Sequence, residues 1–327
     1  MARRALFTSS LQRTLRALTR AAQASVKAAT KQQRPTPRAP KPLQRWTQGI
    51  ALNAAGARRY RLFKPPGARK NHPLPLLVLL HGCAQDAAAI ARITRVHGLA
   101  ARAGFIVLCP EQDRLANAQG CWNWFEMRSG RAVAEAALII GAIDQVCALH
   151  GADPGRVAIA GLSAGASMAA LLALRHPERF KAVAMHSGVA PGAARSAATA
   201  LRAMQGHSRL HALEAATALP PLLVIQGAAD SVVAARNGRA TAHWWADAAH
   251  ALPGPTRVVQ RGARRAARLT DFRAGARLAV TLCEVDGLGH AWSGGAAGQI
   301  YSDPTGPDAT RMIWAFAARA FGVTARG

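Results

Sequence analysis

The stretch Arg156-Val-Ala-Ile-Ala-Gly-Leu-Ser-Ala-Gly-Ala-Ser167 decides the fold of this chain. Its first half is a short apolar run typical of a buried strand, and an Ala- and Leu-rich segment typical of a helix follows it. Between the two, Gly161-Leu-Ser-Ala-Gly165 predicts a sharp strand-to-helix turn, because small residues beside Ser163 let neighbouring backbone approach. Ser163 would then be exposed above the sheet. The five-residue pattern is common, so its meaning depends on the rest of the chain.

Apolar runs alternate with helical segments along most of the chain. Strands are predicted over residues 48–53, 58–63, 74–80, 105–109, 157–160, 180–185, 222–226 and 278–285. Helices are predicted over residues 86–103, 131–150, 164–176, 237–250 and 307–321. This alternation predicts an α/β fold, with a mostly parallel sheet covered by helices on both faces. Residues 188–219 have no strong period, and we interpret them as a lid or insertion.

Basic residues dominate the chain, which has 42 Lys and Arg against 16 Asp and Glu and a net charge of +26. Eleven of the basic residues lie in residues 1–45, where there is no Asp or Glu. The others are not interleaved with aromatic residues that could stack on bases, so nucleic acid is not an expected partner. Half of the residues are hydrophobic, which is sufficient for a large core.

The first 45 residues are expected to form an arm and a linker that precede a folded domain over residues 46–327. Within residues 1–30, apolar residues fall on one helical stripe among arginines: Leu11, Leu15, Leu18, Ala22 and Val26. Such a basic amphipathic helix can lie on a polymer granule or an anionic membrane, be a targeting remnant, or be a mobile tail. Arginines within residues 1–30 interrupt the segment that would have to be the apolar core of an ordinary signal peptide. Four prolines in residues 34–42 predict a stiff linker.

Three predicted strands are followed directly by polar groups of different chemistry. His81-Gly-Cys83 follows residues 74–80, Asp230 follows residues 222–226, and His290 follows residues 278–285. Functional groups gather at the carboxyl ends of the strands in parallel sheets, so we expect these groups to meet near Ser163.

Together these residues have the composition of an acyl-transfer site. Ser163 is the candidate nucleophile, His290 the general base and Asp230 the acid that orients the imidazole. Asp247 and Asp286 are alternatives to Asp230, but one lies in a predicted helix and the other only four residues from the histidine. The backbone N–H groups of Cys83 and Ala164 are the candidate oxyanion donors.

The five cysteines include no CxxC pair of the kind that binds zinc or carries redox chemistry. Cys109 and Cys147 lie in apolar runs and are predicted core residues. Cys83 and Cys121 both fall in loops expected at one end of the sheet, where a disulfide can form between them. Such a bond would favour an oxidising compartment.

Six motifs in order resemble the polyhydroxybutyrate depolymerase family of esterases, within the α/β-hydrolases. They are His81-Gly-Cys-Ala-Gln85, Pro110-Glu-Gln112, Cys121-Trp-Asn-Trp-Phe125, Gly161-Leu-Ser-Ala-Gly165, Gly287-Leu-Gly-His-Ala-Trp-Ser-Gly-Gly295 and Asp303-Pro-Thr-Gly-Pro-Asp308. The similarity runs from about residue 48 to 321. It implies an α/β-hydrolase fold and a bridge between Cys83 and Cys121.

The resemblance also implies hydrolysis of carboxylic esters without a metal or organic cofactor. Polyhydroxyalkanoates or their oligomers are the leading substrate class, and feruloyl or acetylxylan esters are the alternative. Secretion or a periplasmic location follows from the resemblance, and a cytoplasmic, granule-associated protein is the alternative. A non-catalytic surface-binding protein on a hydrolase scaffold is a more remote interpretation.

Four side chains in these motifs are candidate substrate contacts: Gln85, Trp122, Trp124 and Trp292. Aromatic faces bind apolar ester chains or sugars, which suits either substrate class. The alternative for each tryptophan is a structural one, in which the indole covers the core beneath a long loop.

Overall fold

The computed structural model describes residues 46–69, 71–208, 210 and 218–323. The predicted arm and linker over residues 1–45 lie outside the described residues, as do residues 209 and 211–217 of the segment interpreted as a lid.

The described strands and helices follow the predicted alternation. The strands are β1 (Trp46–Asn53), β2 (Gly56–Phe63), β3 (Leu74–Leu80), β4 (Ile106–Pro110), β5 (Ala152–Leu162), β6 (Ala182–His186), β7 (Leu222–Gly227), β8 (Leu252–Pro253), β9 (Arg257–Val259), β10 (Ala267–Ala274), β11 (Arg277–Val285), β12 (Trp292–Ser293) and β13 (Ser302–Asp303). The helices are α1 (Ala87–Thr94), α2 (Val96–Ala103), α3 (Arg131–His150), α4 (Ala164–Arg175), α5 (Ala197–Met204), α6 (Arg236–Ala248) and α7 (Ala309–Ala320), with one 3₁₀ turn at Pro177–Arg179.

One large sheet organises the described part of the chain. Its strand order is β1-β2-β4-β3-β5-β6-β7-β11-β10-β8, and β9 pairs with β10. The six central strands from β4 to β11 are parallel, whereas the pairs at both edges are antiparallel. The prediction of a mostly parallel sheet with helices on both faces is confirmed. All six carboxyl ends therefore lie along one edge of the sheet.

The apolar run of β3 shows how the sheet separates two cores. Leu76, Val78 and Leu80 pack on one face with the buried sides of α3, α4 and α6. Leu77 and Leu79 point to the other face and pack with α1, α2 and α7. Because side chains alternate along a strand, one continuous hydrophobic segment supplies both cores, as expected for a strand covered on both faces.

Helix α3 is long and apolar enough to cross a membrane if length and composition are considered alone. In the structure it packs on β1 and β2, and its buried side includes Ile139, Ile143 and Val146. These contacts make it a core helix of the domain.

The structure corrects the predicted elements at three places. The helix expected over residues 86–103 is two helices, because Arg95 adopts a left-handed conformation with φ 51°. The strands β8, β9, β10, β12 and β13 were not predicted, because four of them are only two or three residues long and β10 mixes charged and polar residues with apolar ones. Helix α5 lies inside the segment 188–219, which was interpreted as a lid or insertion with no helix assigned to it, and Ser196 caps this helix with a capping box.

Candidate active site

The turn from β5 into α4 holds Ser163 in a strained backbone conformation, with φ 56° and ψ −120°. A Cβ at Gly161 would lie 2.3 Å from the carbonyl carbon of Gly165, and a Cβ at Gly165 would lie 2.5 Å from the backbone oxygens of Leu80 and His81. A side chain at Gly161 would push the end of β5 away from the start of α4, and one at Gly165 would separate the turn from β3. The sequence around Ser163 is therefore the one that this sharp turn requires.

The loop after β3 lies against this turn. A Cβ at Gly82 would lie 3.5 Å from the Ser163 Cβ. The Gly82 N–H donates to Gln85 Oε1 at 2.9 Å, and the Ala84 N–H donates to the Gln119 carbonyl at 2.8 Å. Among the described residues no acceptor is bonded to the N–H of Cys83 or Ala164. These two donors remain available to an oxygen atom bound beside Ser163.

Asp230 and His290 meet at the ends of the neighbouring parallel strands β7 and β11. His290 Nδ1 lies 2.9 Å from Asp230 Oδ2, and the side chain of the aspartate is fully buried. A Cβ at Gly227 would lie 2.3 Å from the Leu288 carbonyl oxygen, so the absence of a side chain lets the two loops approach. The imidazole is thus held through Nδ1, which leaves Nε2 for proton transfer.

Asp230 is kept as a carboxylate by its surroundings. Oδ1 accepts hydrogen bonds from the N–H groups of Val232 and Val233, and Oδ2 also accepts from Gln226 Nε2 at 3.3 Å. Burial acts to raise the pKa of Asp230, but the hydrogen bond and charge of His290 and the two backbone donors outweigh it and lower the pKa below its ordinary value. A buried carboxylate of this kind can stabilise an imidazolium.

His186, at the end of β6, is a second buried histidine at this edge. Its carbonyl accepts from the Ser163 N–H at 2.9 Å, and its Nε2 accepts from the Ser293 N–H at 3.0 Å. The ring stacks on Trp292, with 5.1 Å between centroids. Burial, followed by the nearby charge of His290, lowers the pKa of His186 to about 3, against a smaller opposing effect of Asp230. His186 is therefore a neutral link between the Ser163 turn and the His290 loop.

The disulfide between Cys83 and Cys121 is present, with a Cα–Cα distance of 4.3 Å, and the prediction of this pair is confirmed. Cys109 is a buried free thiol as expected, and Cys147 is partly buried. Burial raises the pKa of the Cys147 thiol to about 11, so neither its position nor its ionisation suits a nucleophile.

Beneath the bridge lies a set of buried polar side chains that we call the Glu135 cluster: Arg58, Gln112, Asn123 and Glu135. Glu135 accepts from Gln112 Nε2 at 2.7 Å and from the Asn123 N–H at 2.9 Å. Gln112 Oε1 accepts from Arg58 Nη1 at 2.7 Å. The Gln112 N–H donates to His81 Nε2 at 3.1 Å, so the cluster supports the loop that carries Cys83.

The predicted tryptophan contacts with substrate are wrong for two of the three residues. Trp122 is fully buried and donates through Nε1 to the His81 carbonyl, and Trp292 is 1% exposed and donates to Thr310 Oγ1. Both indoles therefore pack beneath the loops, as the structural alternative proposed. Trp124 is 5% exposed, and the oxygen of the Gln85 side chain is already bonded to Gly82. Trp124 and Gln85 remain predicted contacts.

The two aspartates considered as alternatives to Asp230, Asp247 and Asp286, are not bonded to His290. Asp286 Oδ1 accepts from Arg268 Nη1 at 2.6 Å, and Asp247 lies near the end of α6. Neither is bonded to His290, whose aspartate partner is Asp230. Within the described residues, no three His, Cys, Asp or Glu side chains are grouped as metal ligands would be.

Sequence reasoning missed His186 and the Glu135 cluster. His186 directly follows the strand predicted over residues 180–185, so the same search of strand ends that found His290 would have found it. Glu135 is one of only two acidic residues in an otherwise apolar helical segment, a pattern that indicates a buried, paired carboxylate. Its partners come from distant parts of the chain and have no local signal.

Comparison with known proteins places this geometry among esterases. The family described as "Esterase PHB depolymerase" matches residues 58–270. Poly(3-hydroxyalkanoate) depolymerase C of Paucimonas lemoignei is 38% identical over 131 residues, which are 39% of this chain and 31% of that protein. Feruloyl esterase B of Neurospora crassa is 32% identical over 125 residues, which are 38% of this chain and 42% of that protein. The matched regions thus span less than half of these relatives.

A solved structure, the acetyl xylan esterase from Aspergillus awamori, has a similar fold. Its TM-score is 0.59 at 19% sequence identity, and the superposition covers 75% of this chain and 94% of that one. The predicted α/β-hydrolase fold is confirmed by this likeness and by the strand order.

Proposed function

The chain belongs to the PHB depolymerase family of esterases, and we propose that it hydrolyses carboxylic esters through an acyl-enzyme on Ser163. The observation that carries this proposal is the 2.9 Å contact between His290 Nδ1 and the buried Asp230 carboxylate, at the same sheet edge as a serine with φ 56°. A nucleophile, a base and an orienting acid are the set that such chemistry needs.

In the acylation step, His290 Nε2 removes the proton of the Ser163 hydroxyl as Oγ bonds to the ester carbonyl carbon. The N–H groups of Cys83 and Ala164 donate hydrogen bonds to the resulting oxyanion. When the intermediate collapses, the carbon–oxygen bond to the alcohol breaks and the imidazolium gives its proton to the departing oxygen. Asp230 accepts from Nδ1–H throughout and stabilises the positive ring.

In the second half of the reaction, His290 takes a proton from water, whose oxygen attacks the acyl carbon. The intermediate again places its oxyanion on the two backbone donors, and its collapse releases the acid and restores the Ser163 hydroxyl. The two donors are backbone groups, so the Cys83 side chain has no chemical part in this mechanism. The bridge to Cys121 instead fixes the loop that carries one donor.

We infer that the substrate is poly(3-hydroxybutyrate), another polyhydroxyalkanoate, or an oligomer of either. The family description and the depolymerase of Paucimonas lemoignei support this class. Feruloyl or acetylxylan esters are the second candidate, which the feruloyl esterase and acetyl xylan esterase relatives support. The disulfide favours an extracellular or periplasmic location, and a cytoplasmic, granule-associated protein is the alternative.

Hydrolysis of p-nitrophenyl butyrate tests the proposed residues. Ser163→Ala and His290→Ala should each lower kcat by about 10³-fold or more, because members of such a set act as a unit. His176→Ala, at the opposite end of α4 from Ser163, serves as the control and should keep activity. Turnover retained by both site variants would contradict the esterase and support the non-catalytic surface-binding interpretation.

A substrate panel distinguishes the two ester classes. The purified full chain is given hydroxybutyrate oligomers, amorphous poly(3-hydroxybutyrate), methyl ferulate and acetylated xylan, and kcat/KM values are compared. We expect the hydroxybutyrate substrates to be hydrolysed fastest, whereas preference for ferulate or acetylxylan would move the assignment to the second class.

The basic N-terminal residues are proposed to bind a granule or anionic membrane surface. Replacing Arg13, Arg16 and Arg20 with Gln in the full chain should weaken binding to polymer granules or to vesicles with anionic lipid. Activity on the soluble p-nitrophenyl ester should be unchanged. Equal surface binding by the wild type and the triple variant would contradict this role.

A further inference from the structure

A cavity of about 1010 Å³ lies on the face of the sheet that carries α2 and α7, beside the edge strands β9 and β10. Its apolar lining includes Leu99, Leu269, Met312 and Trp314. Seven arginines also line it: Arg95, Arg102, Arg257, Arg261, Arg264, Arg265 and Arg311. Asp308 is the single carboxylate among the lining residues named for this cavity. The combination of an apolar lining and many guanidinium groups differs from the proposed ester site.

Three of the seven arginines have an acidic partner. Arg257 pairs with Asp271 at 2.9 Å and Arg265 with Asp303 at 2.9 Å, and Arg311 lies 3.7 Å from Asp308. These contacts offset three positive charges.

The other four positive charges are not balanced in the described part of the chain. Arg95 and Arg264 donate to the backbone carbonyls of Gly294 and Gly306, which offers a hydrogen bond but no negative charge. Arg102 and Arg261 have no side-chain partner among the described residues. An anion in the cavity would lower the mutual repulsion of these groups.

Two lining residues also contain buried polar atoms without a hydrogen-bond partner in the described residues: His97 Nδ1 and Trp314 Nε1. Trp314 is 3% exposed and stacks on Phe105, with 3.8 Å between ring centroids. A buried indole N–H without an acceptor costs about 1–3 kcal/mol, but this atom has almost no accessible surface, so a ligand could reach it only if neighbouring side chains moved. The ligand preference of the cavity is therefore set by its guanidinium groups and its apolar side chains.

We propose that this cavity binds a carboxylate carried on an apolar chain. The guanidinium groups would hold the carboxylate, and the lining formed by Leu99, Leu269 and Met312 would receive the hydrocarbon. The volume is suited to a small amphiphile. A nucleic acid fits less well, because the cavity does not offer a row of aromatic faces on which bases could stack.

The test uses the full chain with Ser163→Ala, so that ester chemistry does not interfere and failure of the esterase proposal leaves this result readable. Isothermal titration calorimetry is performed with octanoate below its micelle concentration, with 1-octanol and with acetate. Octanoate should bind at least ten-fold more tightly than either. Equal binding of 1-octanol would overturn the role of the carboxylate, and equal binding of acetate would overturn the role of the apolar lining.

The residues are tested in the same background. The double variant R102Q/R261Q should weaken octanoate binding at least ten-fold, and Met312→Gln should reduce the preference for octanoate over acetate. The control Arg277→Gln also removes a positive charge, but from the β10–β11 hairpin, and should leave binding unchanged. Thermal unfolding confirms that each variant is folded.

Two further results would overturn the proposal. One is octanoate binding that is the same in R102Q/R261Q and in the Ser163→Ala parent, or reduced equally by Arg277→Gln. The other is a single-stranded oligonucleotide that binds more tightly than octanoate and loses binding in R102Q/R261Q, which would make the cavity part of a polyanion surface.

Discussion

The proposed ester site and the Glu135 cluster are both sets of polar groups at the carboxyl end of the sheet, but their hydrogen bonding differs. In the Glu135 cluster, each carboxylate oxygen has a donor and the amides of Gln112 and Asn123 are engaged. In the site, the N–H groups of Cys83 and Ala164 have no acceptor in the described residues.

The difference in hydrogen bonding indicates a structural role for the buried polar groups of the cluster and a catalytic role for those of the site. In the cluster the Glu135 carboxylate and both amide side chains are paired, although the Arg58 Nε has no partner in the described residues. Such a network favours one arrangement and so holds the His81 loop, through the bond from the Gln112 N–H to His81 Nε2. Donors left free on a fixed loop can stabilise charge that appears only during a reaction, without reorganising. We therefore expect changes in the site to reduce activity and changes in the cluster to reduce stability.

The largest effect is expected from Asp230→Asn, which breaks the site and leaves the Glu135 cluster intact. An amide at this position favours the wrong imidazole tautomer, so kcat for p-nitrophenyl butyrate should fall about 10³- to 10⁴-fold. Asp271→Asn, which removes a carboxylate paired with Arg257 away from the site, is the control. Activity above a tenth of the wild-type value in Asp230→Asn would exclude this aspartate as the orienting acid.

Glu135→Gln breaks the cluster and leaves the site residues unchanged. The substitution removes the negative charge near the buried Arg58 and replaces an acceptor by a donor, so the free energy of unfolding should fall by about 3–5 kcal/mol. The kcat of the folded fraction should stay within about ten-fold of wild type. Urea unfolding measures the first effect, and Glu126→Gln at a half-buried surface site is the control. A variant with wild-type stability but little activity would reverse the distinction between the two regions.

The main strands and helices and the proposed ester site could be predicted from the sequence, each for a different reason. Continuous apolar runs placed β3 and α3 at their observed bounds, because a buried strand or core helix has a strong local pattern. The site follows from the chain order Ser163, Asp230, His290, since parallel strands bring their ends together.

What the sequence could not predict depends on tertiary contacts. Trp122 lies in a loop and Trp292 in the two-residue strand β12, and neither segment has a periodicity that tells whether an indole faces solvent or the core. Strand β10 carries Arg268, Thr270 and Asp271, and only its pairing with β11 makes it part of the sheet. The Glu135 cluster joins residues up to about eighty positions apart, which no local pattern records.

The Cys83–Cys121 bridge joins the two regions, because Cys83 carries a proposed oxyanion donor and Cys121 precedes Trp122. Cys83→Ser with Cys121→Ser should lower the free energy of unfolding by about 2–4 kcal/mol, through the loop that the bond closes. The backbone donor remains, so kcat at a temperature where the variant is folded should fall less than about ten-fold. Urea unfolding and ester kinetics are compared with Cys147→Ser, a free thiol outside both regions. A 10³-fold loss of kcat in the double variant would show that the bridge itself sets the site geometry.

The smallest effect concerns two neutral histidines, one in each region. Burial is the main cause that lowers the pKa of His81 to about 4 and of His186 to about 3, from an ordinary value of 6.5. Below pH 6.5 the unfolded chain therefore binds protons that the folded chain does not, and stability falls as pH falls toward these folded values. Each histidine should contribute a slope of about 1.4 kcal/mol per pH unit between about pH 6 and pH 4.5.

His81→Asn and His186→Asn should each reduce that slope by about one proton, whereas His176→Asn at a half-buried site should reduce it less. The measurement is urea unfolding at a series of pH values.

The two variants are then distinguished by activity at pH 7. His81→Asn removes the acceptor of the Gln112 N–H and alters the support of the Cys83 loop, whereas His186→Asn removes the acceptor of the Ser293 N–H beside the His290 loop. We expect the larger rise in KM or fall in kcat from His186, because its backbone and ring connect the turn of the proposed nucleophile Ser163 directly to the loop after the proposed base His290. A slope that is unchanged in both variants would show that neither histidine is held neutral by the fold.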